Sequence, residues 1–387
     1  MLICAALSET PSHVECDFPS ADIEATKRCI EAMKNGEARM DCGESGSTLR
    51  FMIPVLAAKG QRGEFHTEGR LAERPLSPLS KELSSHGCQV IRTGTNTITS
   101  EGQLEPGTFI LPGNVTSQFV SGILMALPIL RKECRVIVTG RLQSAPYIDM
   151  TLDVMEQFGI RVQLEQRDTG RTYILPSKQA YHGPEVCRPE GDWSAASNWL
   201  VAGVIGTEPV SVRGLNPQSR QGDREIITAL RLFGADIRIE GDLVTAYPSK
   251  LHGAKIDVAQ TPDLAPAIAL AAARAQGVTK IDNTLRLHMK ESDRVKAICS
   301  VMEYLGVKAE EQPNQIWITG NGGKPFRGGT MDNFGDHRVV MMEAIASLAA
   351  DSPVVIRDAD AVSKSYPGFF QVLEKAGLAG NVKAEWR

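Results

Sequence analysis

Five stretches of this chain repeat one pattern at nearly constant spacing, and no other feature constrains its fold as strongly. They read DCGESGSTLRFMIPVLAAKG (41–60), GNVTSQFVSGILMALPIL (113–130), GDWSAASNWLVAGVIG (191–206), TPDLAPAIALAAARAQG (261–277) and DNFGDHRVVMMEAIASLAAD (332–351). Each opens with a polar Asp/Gly/Ser turn and continues into a helix rich in Ala and Leu. The openings at 41, 113, 191, 261 and 332 stand 72, 78, 70 and 71 residues apart. Repetition at this period marks supersecondary units that bury their apolar faces by packing together.

The segments after each opening recur as well. A short β-type segment comes next (GEFHTEG, RVIVTG, PVSVRG, VTKIDN, PVVIRDA), then an amphipathic helix that stops at a glycine. Glycine just past a helix end adopts the left-handed conformation at little cost, which accounts for its recurrence. Between that glycine and the next opening lie about two strands' worth of alternating residues. The pattern therefore gives six β–α–β–β units, each with a second, more buried helix. Three units per domain put a boundary near Pro189–Asp192, so the expected domains are 1–189 and 190–387. The first unit breaks the rule. Its helix SADIEATKRCIEAMKNG ends near Gly36 and the next opening comes at Asp41, whereas the other units leave 26 to 32 residues there. It also begins inside its apolar helix, at MLICAAL. The first unit is expected to be incomplete, without its hairpin.

A helix start presents unpaired N–H groups and a partial positive charge, so Ser, Thr and Gly there either cap the helix or receive an anion. Cations at the same turns favour the anion: Arg50 after Ser45–Thr48, Arg70 and Arg74 in GRLAERP, Arg286, Lys290 and Arg294 in RLHMKESDR, Arg338 in GDHR and Lys364 in VSKSYP. The planar guanidinium fork suits carboxylate and phosphate, which implies small, multiply charged substrates. Asp263, Glu291 and the Asp336–His337–Arg338 run place acid–base groups among these cations. For Asp263, a plain N-cap is the open alternative.

The net charge of −4 and pI near 6.0, with no Lys/Arg run longer than two, argue against a nucleic-acid footprint. No nucleotide-binding glycine loop and no nucleophile elbow occurs. The eight cysteines form no C-x-x-C pair and read as reduced, buried thiols. The short apolar start lacks the basic leader of a signal peptide, and no apolar run approaches membrane-spanning length, so a cytoplasmic location is expected.

ESGSTLR, ERPLSPL, TSQFVSG, SAPYIDMTL, DLAPAIA, KESDR, GDHR and SKSYPGFF, taken in order over nearly the whole chain, resemble the 5-enolpyruvylshikimate-3-phosphate synthase family (3-phosphoshikimate 1-carboxyvinyltransferases). The resemblance implies an α/β fold of two domains, each of three βαβαββ units, that close on their substrates. It implies transfer of the enolpyruvyl group of phosphoenolpyruvate to the 5-hydroxyl of shikimate 3-phosphate with release of phosphate, a step of aromatic amino-acid biosynthesis. By the same resemblance, Gly46, Arg74, Gln118, Arg294, Arg338 and Lys364 are expected at phosphoenolpyruvate. Thr116, Ser117, Gln118, Ser144, Asp263, Arg286 and Lys290 are expected at shikimate 3-phosphate. Asp263 is expected to accept the proton of the 5-hydroxyl and Glu291 to protonate the methylene carbon, with Arg50, Tyr147 and His337 in support. No cofactor, metal, nucleic acid or membrane is expected, and a monomer is. The family's Lys-Ser-x-x-x-Arg segment has no counterpart before MLICAAL, which leaves a catalytically impaired or inactive member of the family as an alternative. A second alternative, an enolpyruvyl transferase acting on UDP-N-acetylglucosamine, usually carries a reactive Cys in the loop that here reads GRLAERP. An RNA-end cyclase, with units similar in kind, is opposed by the acidic balance and the missing nucleotide loop.

Overall fold

The computed structural model describes residues 1–16, 19–167 and 170–386. The chain divides into two compact units, Met1–Pro189 and Glu190–Arg387, each with its own apolar core.

The first compact unit begins with α1 (Leu2–Leu7), β1 (His13–Val14) and α2 (Ala21–Asn35). Ser20 caps α2 by accepting from the Ile23 N–H, and Gly36 ends it in the left-handed region at φ 73°. The next repeat runs through β2 (Arg39–Gly43), α3 (Gly46–Lys59), β3 (Gly63–Thr67), α4 (Leu79–Ser85), β4 (Cys88–Arg92) and β5 (Thr97–Gly102). Then come β6 (Thr108–Pro112), α5 (Ser117–Ala126), β7 (Cys134–Thr139), α6 (Ala145–Gln157), β8 (Gln163–Arg167) and β9 (Gly170–Leu175), with β10 (Val186–Cys187) before the second compact unit.

The second compact unit repeats the scheme. Its first repeat is α7 (Trp193–Ile205), β11 (Val210–Val212), α8 (Ile226–Leu232), β12 (Asp236–Glu240) and β13 (Leu243–Tyr247). Its second is β14 (Lys255–Asp257), α9 (Ala265–Arg274), β15 (Gln276–Asp282), α10 (Arg294–Tyr304), β16 (Lys308–Gln312) and β17 (Gln315–Asn321). Its third is β18 (Gly329–Met331), α11 (His337–Ala346), β19 (Val354–Ile356), α12 (Phe369–Lys375) and β20 (Val382–Ala384).

One strand order recurs: β2-β3-β5-β4, β6-β7-β9-β8 and β14-β15-β17-β16. In each, the first two strands run parallel around the buried helix and the hairpin adds antiparallel. Every interval expected to hold two strands holds three. The extra one (β6, β10, β14, β18) runs directly into the next polar turn. It is too short to show a period of its own, and the sequence pattern merges it with that turn.

The first repeat is shortened as expected. Its β1 pairs in parallel with β10, as β3 does with β2, but the sheet stops there with order β1-β10. A cavity of about 490 Å³ lies beside it, lined by Leu2, Ala6, Val14, Lys27 and Ile30 among others.

The core of the second compact unit is built on α7, α9 and α11, which pack on one another. Nine of the ten α9 residues are buried and six of those are alanine, so neighbouring backbones approach closely. Gly203 of α7 shows how closely: a Cβ there would lie 2.6 Å from the Ala246 carbonyl oxygen.

Candidate active site

Each buried helix begins where its polar turn ends, and the candidate residues stand at those starts. In the first compact unit, Ser45 caps α3 by accepting from the Thr48 N–H, which leaves Gly46 as the first helical residue. Gly46 has no room for a side chain. A Cβ there would sit 2.6 Å from Arg50 Nη1 and 2.9 Å from Arg74 Nη1. Two guanidinium groups therefore converge on the positive end of a helix, the arrangement that receives a phosphate or carboxylate. Arg50 is buried, and its Nη1 donates to the side-chain oxygen of Gln118 at 2.7 Å.

That bond ties α3 to the start of α5, where Thr116 caps the helix by accepting from the Gln118 N–H. Gly122 makes the packing possible, since a Cβ there would lie 2.4 Å from the Arg50 carbonyl oxygen. Ser121 of α5 bonds Thr151 of α6 at 2.8 Å, and Thr151 donates back to the Tyr147 carbonyl oxygen, so the first turn of α6 sits alongside α5. Ser144, at the start of α6, is buried and held at φ 56°, uncommon for a residue with a side chain. Its hydroxyl does not cap the helix. Gly46, Arg50, Arg74, Thr116, Ser117 and Gln118 are thus brought together, with Ser144 and Tyr147 on the adjoining helix.

In the second compact unit the centre is Arg294, 1% exposed. Its Nη1 donates to Asp263 Oδ1 at 2.5 Å, its Nη2 to Glu291 Oε2 at 2.8 Å and its Nε to Asp336 Oδ2 at 2.8 Å. Burial opposes the charge on Arg294, but Asp336, Glu291 and Asp263 outweigh it and raise the pKa. Asp263 also accepts from Lys290 at 3.1 Å and faces Arg338 Nη2 at 3.5 Å. Burial pushes the Asp263 carboxyl up, but Arg338, Lys290 and Arg294 together hold it well below the usual carboxylate range. Burial lowers the pKa of Lys290, with Asp263 opposing that shift.

These positions resolve the alternative left open for Asp263. It lies in a 3-10 turn, Pro262–Leu264, and the residue that precedes α9 makes no side-chain cap. Capping is the role of Ser45, Thr116, Asp192 and Asp336 in the other repeats. Asp263 instead holds cations.

Asp336 does both. It caps α11 by accepting from the Arg338 N–H at 3.0 Å, and it accepts from Ser292 Oγ and Arg294. His337 is buried, which lowers its pKa to about 4 and leaves the ring neutral at physiological pH. Arg286 lies in the 3-10 turn Leu285–Met289, near enough to Lys290 to act on its charge. Lys364 ends the turn Ala359–Lys364, which packs on α11. Sequence reasoning gave Asp336 no role of its own and missed Ser292 altogether. Ser292 reads along the chain as an ordinary polar residue before a helix, and only the tertiary fold carries it to Asp336.

Comparison with known proteins gives one consistent result. The family model described as EPSP synthase (3-phosphoshikimate 1-carboxyvinyltransferase) matches residues 14–373. A 3-phosphoshikimate 1-carboxyvinyltransferase of Clostridium kluyveri is 36% identical, with 97% of this chain and 91% of the relative covered. The Clostridium novyi protein of the same name is 34% identical, with 97% and 92% covered. Among solved structures, EPSP synthase from Acinetobacter baumannii superposes with a TM-score of 0.76 at 23% identity, covering 98% of this chain and 93% of that one. The enolpyruvyl transferase NikO from Streptomyces tendae gives 0.74 at 18% identity, covering 97% and 91%. At those identities the structural likeness speaks for the fold.

Proposed function

The chain belongs to the EPSP synthase family, and from that premise we propose how its residues divide the reaction. The activity is transfer of the enolpyruvyl group from phosphoenolpyruvate to the 5-hydroxyl of shikimate 3-phosphate, with phosphate released. Asp263 takes the hydroxyl proton as the oxygen attacks the enolpyruvyl carbon, and Glu291 delivers a proton to the methylene carbon. Elimination then expels phosphate and returns the methylene proton.

One observation carries this assignment: three cations, Lys290, Arg294 and Arg338, gather on one partly exposed carboxylate at the start of a buried helix. Before substrate arrives, those cations make Asp263 a weak base. An incoming polyanion shares Lys290 and Arg338, which relieves Asp263 and raises its basicity. Shikimate 3-phosphate is assigned to Thr116, Ser117, Gln118, Ser144, Arg286 and Lys290, and phosphoenolpyruvate to Gly46, Arg74, Gln118, Arg338 and Lys364. Arg294 is enclosed by three carboxylates, so its part is to orient Asp263 and Glu291 until substrate draws it away.

The test is phosphate release from the two substrates. Asp263→Asn is expected to lower kcat by about 10²- to 10⁴-fold, the usual worth of a positioned acid or base, with the fold intact. Full activity in that variant would remove Asp263 from the mechanism. A second reading, a protein that keeps the fold without turnover, is favoured by the shortened first repeat. An absence of phosphate release by the unmodified chain, with both substrates still bound, would establish it.

A further inference from the structure

Asp336 is wholly buried, and each of its oxygens meets two donors. Oδ1 accepts from the Arg338 N–H at 3.0 Å and from Arg294 Nη2 at 3.4 Å. Oδ2 accepts from Arg294 Nε at 2.8 Å and from Ser292 Oγ at 3.0 Å. Three of these contacts follow from the fold. The Arg338 N–H belongs to the first turn of α11, which Asp336 caps, and the guanidinium offsets a buried charge. Ser292 is different. It is 3% exposed and follows Glu291 directly, yet its hydroxyl donates to a carboxylate 44 residues away. Capping of α10 does not engage it, because the Asp293 side chain accepts from the Lys296 N–H there.

The 3.4 Å contact shows what the hydroxyl does. Nε and Nη2 form one edge of the arginine fork, and a carboxylate facing that edge commonly takes both in a two-pronged pair. Here only the Nε prong is closed. Nη2 lies nearer to Glu291 Oε2, at 2.8 Å, and Nη1 holds Asp263 Oδ1 at 2.5 Å. One guanidinium therefore serves three carboxylates, and full closure on Asp336 would turn it away from the other two. Ser292 on Oδ2 and the helix cap on Oδ1 keep Asp336 from rotating into that closure.

We propose that Ser292 is a positioning residue whose hydroxyl fixes the Asp336 carboxylate and so keeps Arg294 Nη2 on Glu291. Glu291 is thus aimed by its own neighbour in the chain, through a carboxylate of the next repeat and the guanidinium between them. The inference rests on the assignment of Glu291 as the acid of the proposed reaction.

The experiment is a double-mutant cycle in steady-state phosphate release, with Ser292→Ala, Glu291→Gln and the two combined. Ser292→Ala is expected to lower kcat about tenfold, the worth of one hydrogen bond to a charged group. The KM for shikimate 3-phosphate, assigned largely to Thr116, Ser117, Gln118 and Ser144, should not change. In the Glu291→Gln background the same substitution should lower kcat no further, because the group it aims can no longer give a proton. Ser292→Thr keeps the hydroxyl and should restore the rate. A serine that merely tied two helix starts together would lower kcat equally in both backgrounds.

An unchanged kcat in Ser292→Ala would overturn the proposal, as would an equal loss with and without Glu291. A Ser292→Thr variant as slow as Ser292→Ala would overturn it too. Should Ser292→Ala fail to fold, Ser292→Cys takes its place in the cycle, since the thiol is a weak donor. Should the unmodified chain release no phosphate, or Glu291→Gln keep its full rate, the catalytic reading fails separately. Crystal structures of the unmodified chain and the Ser292 variant then decide this inference. Arg294 closed on both Asp336 oxygens and withdrawn from Glu291 would support it, and an Arg294 that has not moved would sink it.

Discussion

At the scale of single residues, Gly46 and Glu343 carry opposite lessons. Gly46 opens α3 at a position where alanine would be a good helix former, yet its missing Cβ leaves the space that Arg50 and Arg74 occupy. Arg50 is pinned to Gln118 and cannot retreat freely. Gly46→Ala is therefore expected to raise the KM for phosphoenolpyruvate about tenfold or more, the cost of displacing hydrogen bonds to charged groups. An unchanged KM would remove Gly46 from the anion site. Glu343 is the reverse case, a fully buried carboxyl on α11 whose two oxygens have no hydrogen-bond partner among the described residues. Nothing in the structure explains its presence. Burial first, and Asp332 next, push its pKa well above the ordinary glutamate value. The folded protein holds on to its proton to a higher pH than the unfolded chain, which ionises it near 4.5. Whatever stability it contributes is complete below that value and is lost as pH rises toward the folded pKa. Glu343→Met is expected to stabilise the protein by about 1–3 kcal/mol at neutral pH, with a smaller gain at low pH. Urea midpoints measured at both conditions check it, and a gain independent of pH would contradict the titration.

At the scale of elements, the shortened repeat should be the weakest part of the first compact unit. Its α1 packs on α2 and α2 on α3, β1 pairs on one side alone among the described residues, and a cavity of about 490 Å³ is lined by residues of α1, β1 and α2. Regions with few buried contacts and short ladders open first, without global unfolding. Hydrogen exchange should therefore release amides of Ala21–Asn35 before those of Ser117–Ala126, whose helix is buried along its length. Equal protection of the two would mean that the first repeat is closed as firmly as a complete one. This shortening was legible in the sequence, because four complete intervals set the length an intact repeat needs. The strands that lead into each polar turn were not. TFILP and KID are too brief to display alternation, and their pairing partners lie in later segments. The site divided in the same way. Residues at helix starts announced themselves, whereas Ser292 acquires meaning only when the starts of α10 and α11 converge.

At the scale of the whole molecule, the sequence spacing yields six units, but it does not say how firmly each group of three holds together. Each compact unit has its own apolar core, which allows them to unfold separately. They are unequal. Residues 190–387 carry three repeats packed on α7, α9 and α11, whereas residues 1–189 include the shortened one. The chain also contains a built-in way to tell them apart. All four tryptophans, Trp193, Trp199, Trp317 and Trp386, lie in the second compact unit. Trp193 and Trp199 are buried, so their emission responds when that core opens. Far-ultraviolet ellipticity reports helices and strands of both. In urea, ellipticity is therefore expected to begin falling at a lower concentration than tryptophan emission shifts, because the first compact unit yields before the second. Substrates bind the folded protein and raise its stability by mass action, by about 2.7 kcal/mol at a ligand concentration one hundred times Kd. Shikimate 3-phosphate, assigned largely to Thr116, Ser117, Gln118 and Ser144, should therefore narrow the separation by raising the earlier transition. Coincident transitions without substrate would show that the two cores unfold as one, and that the missing hairpin costs the first compact unit no stability relative to the second.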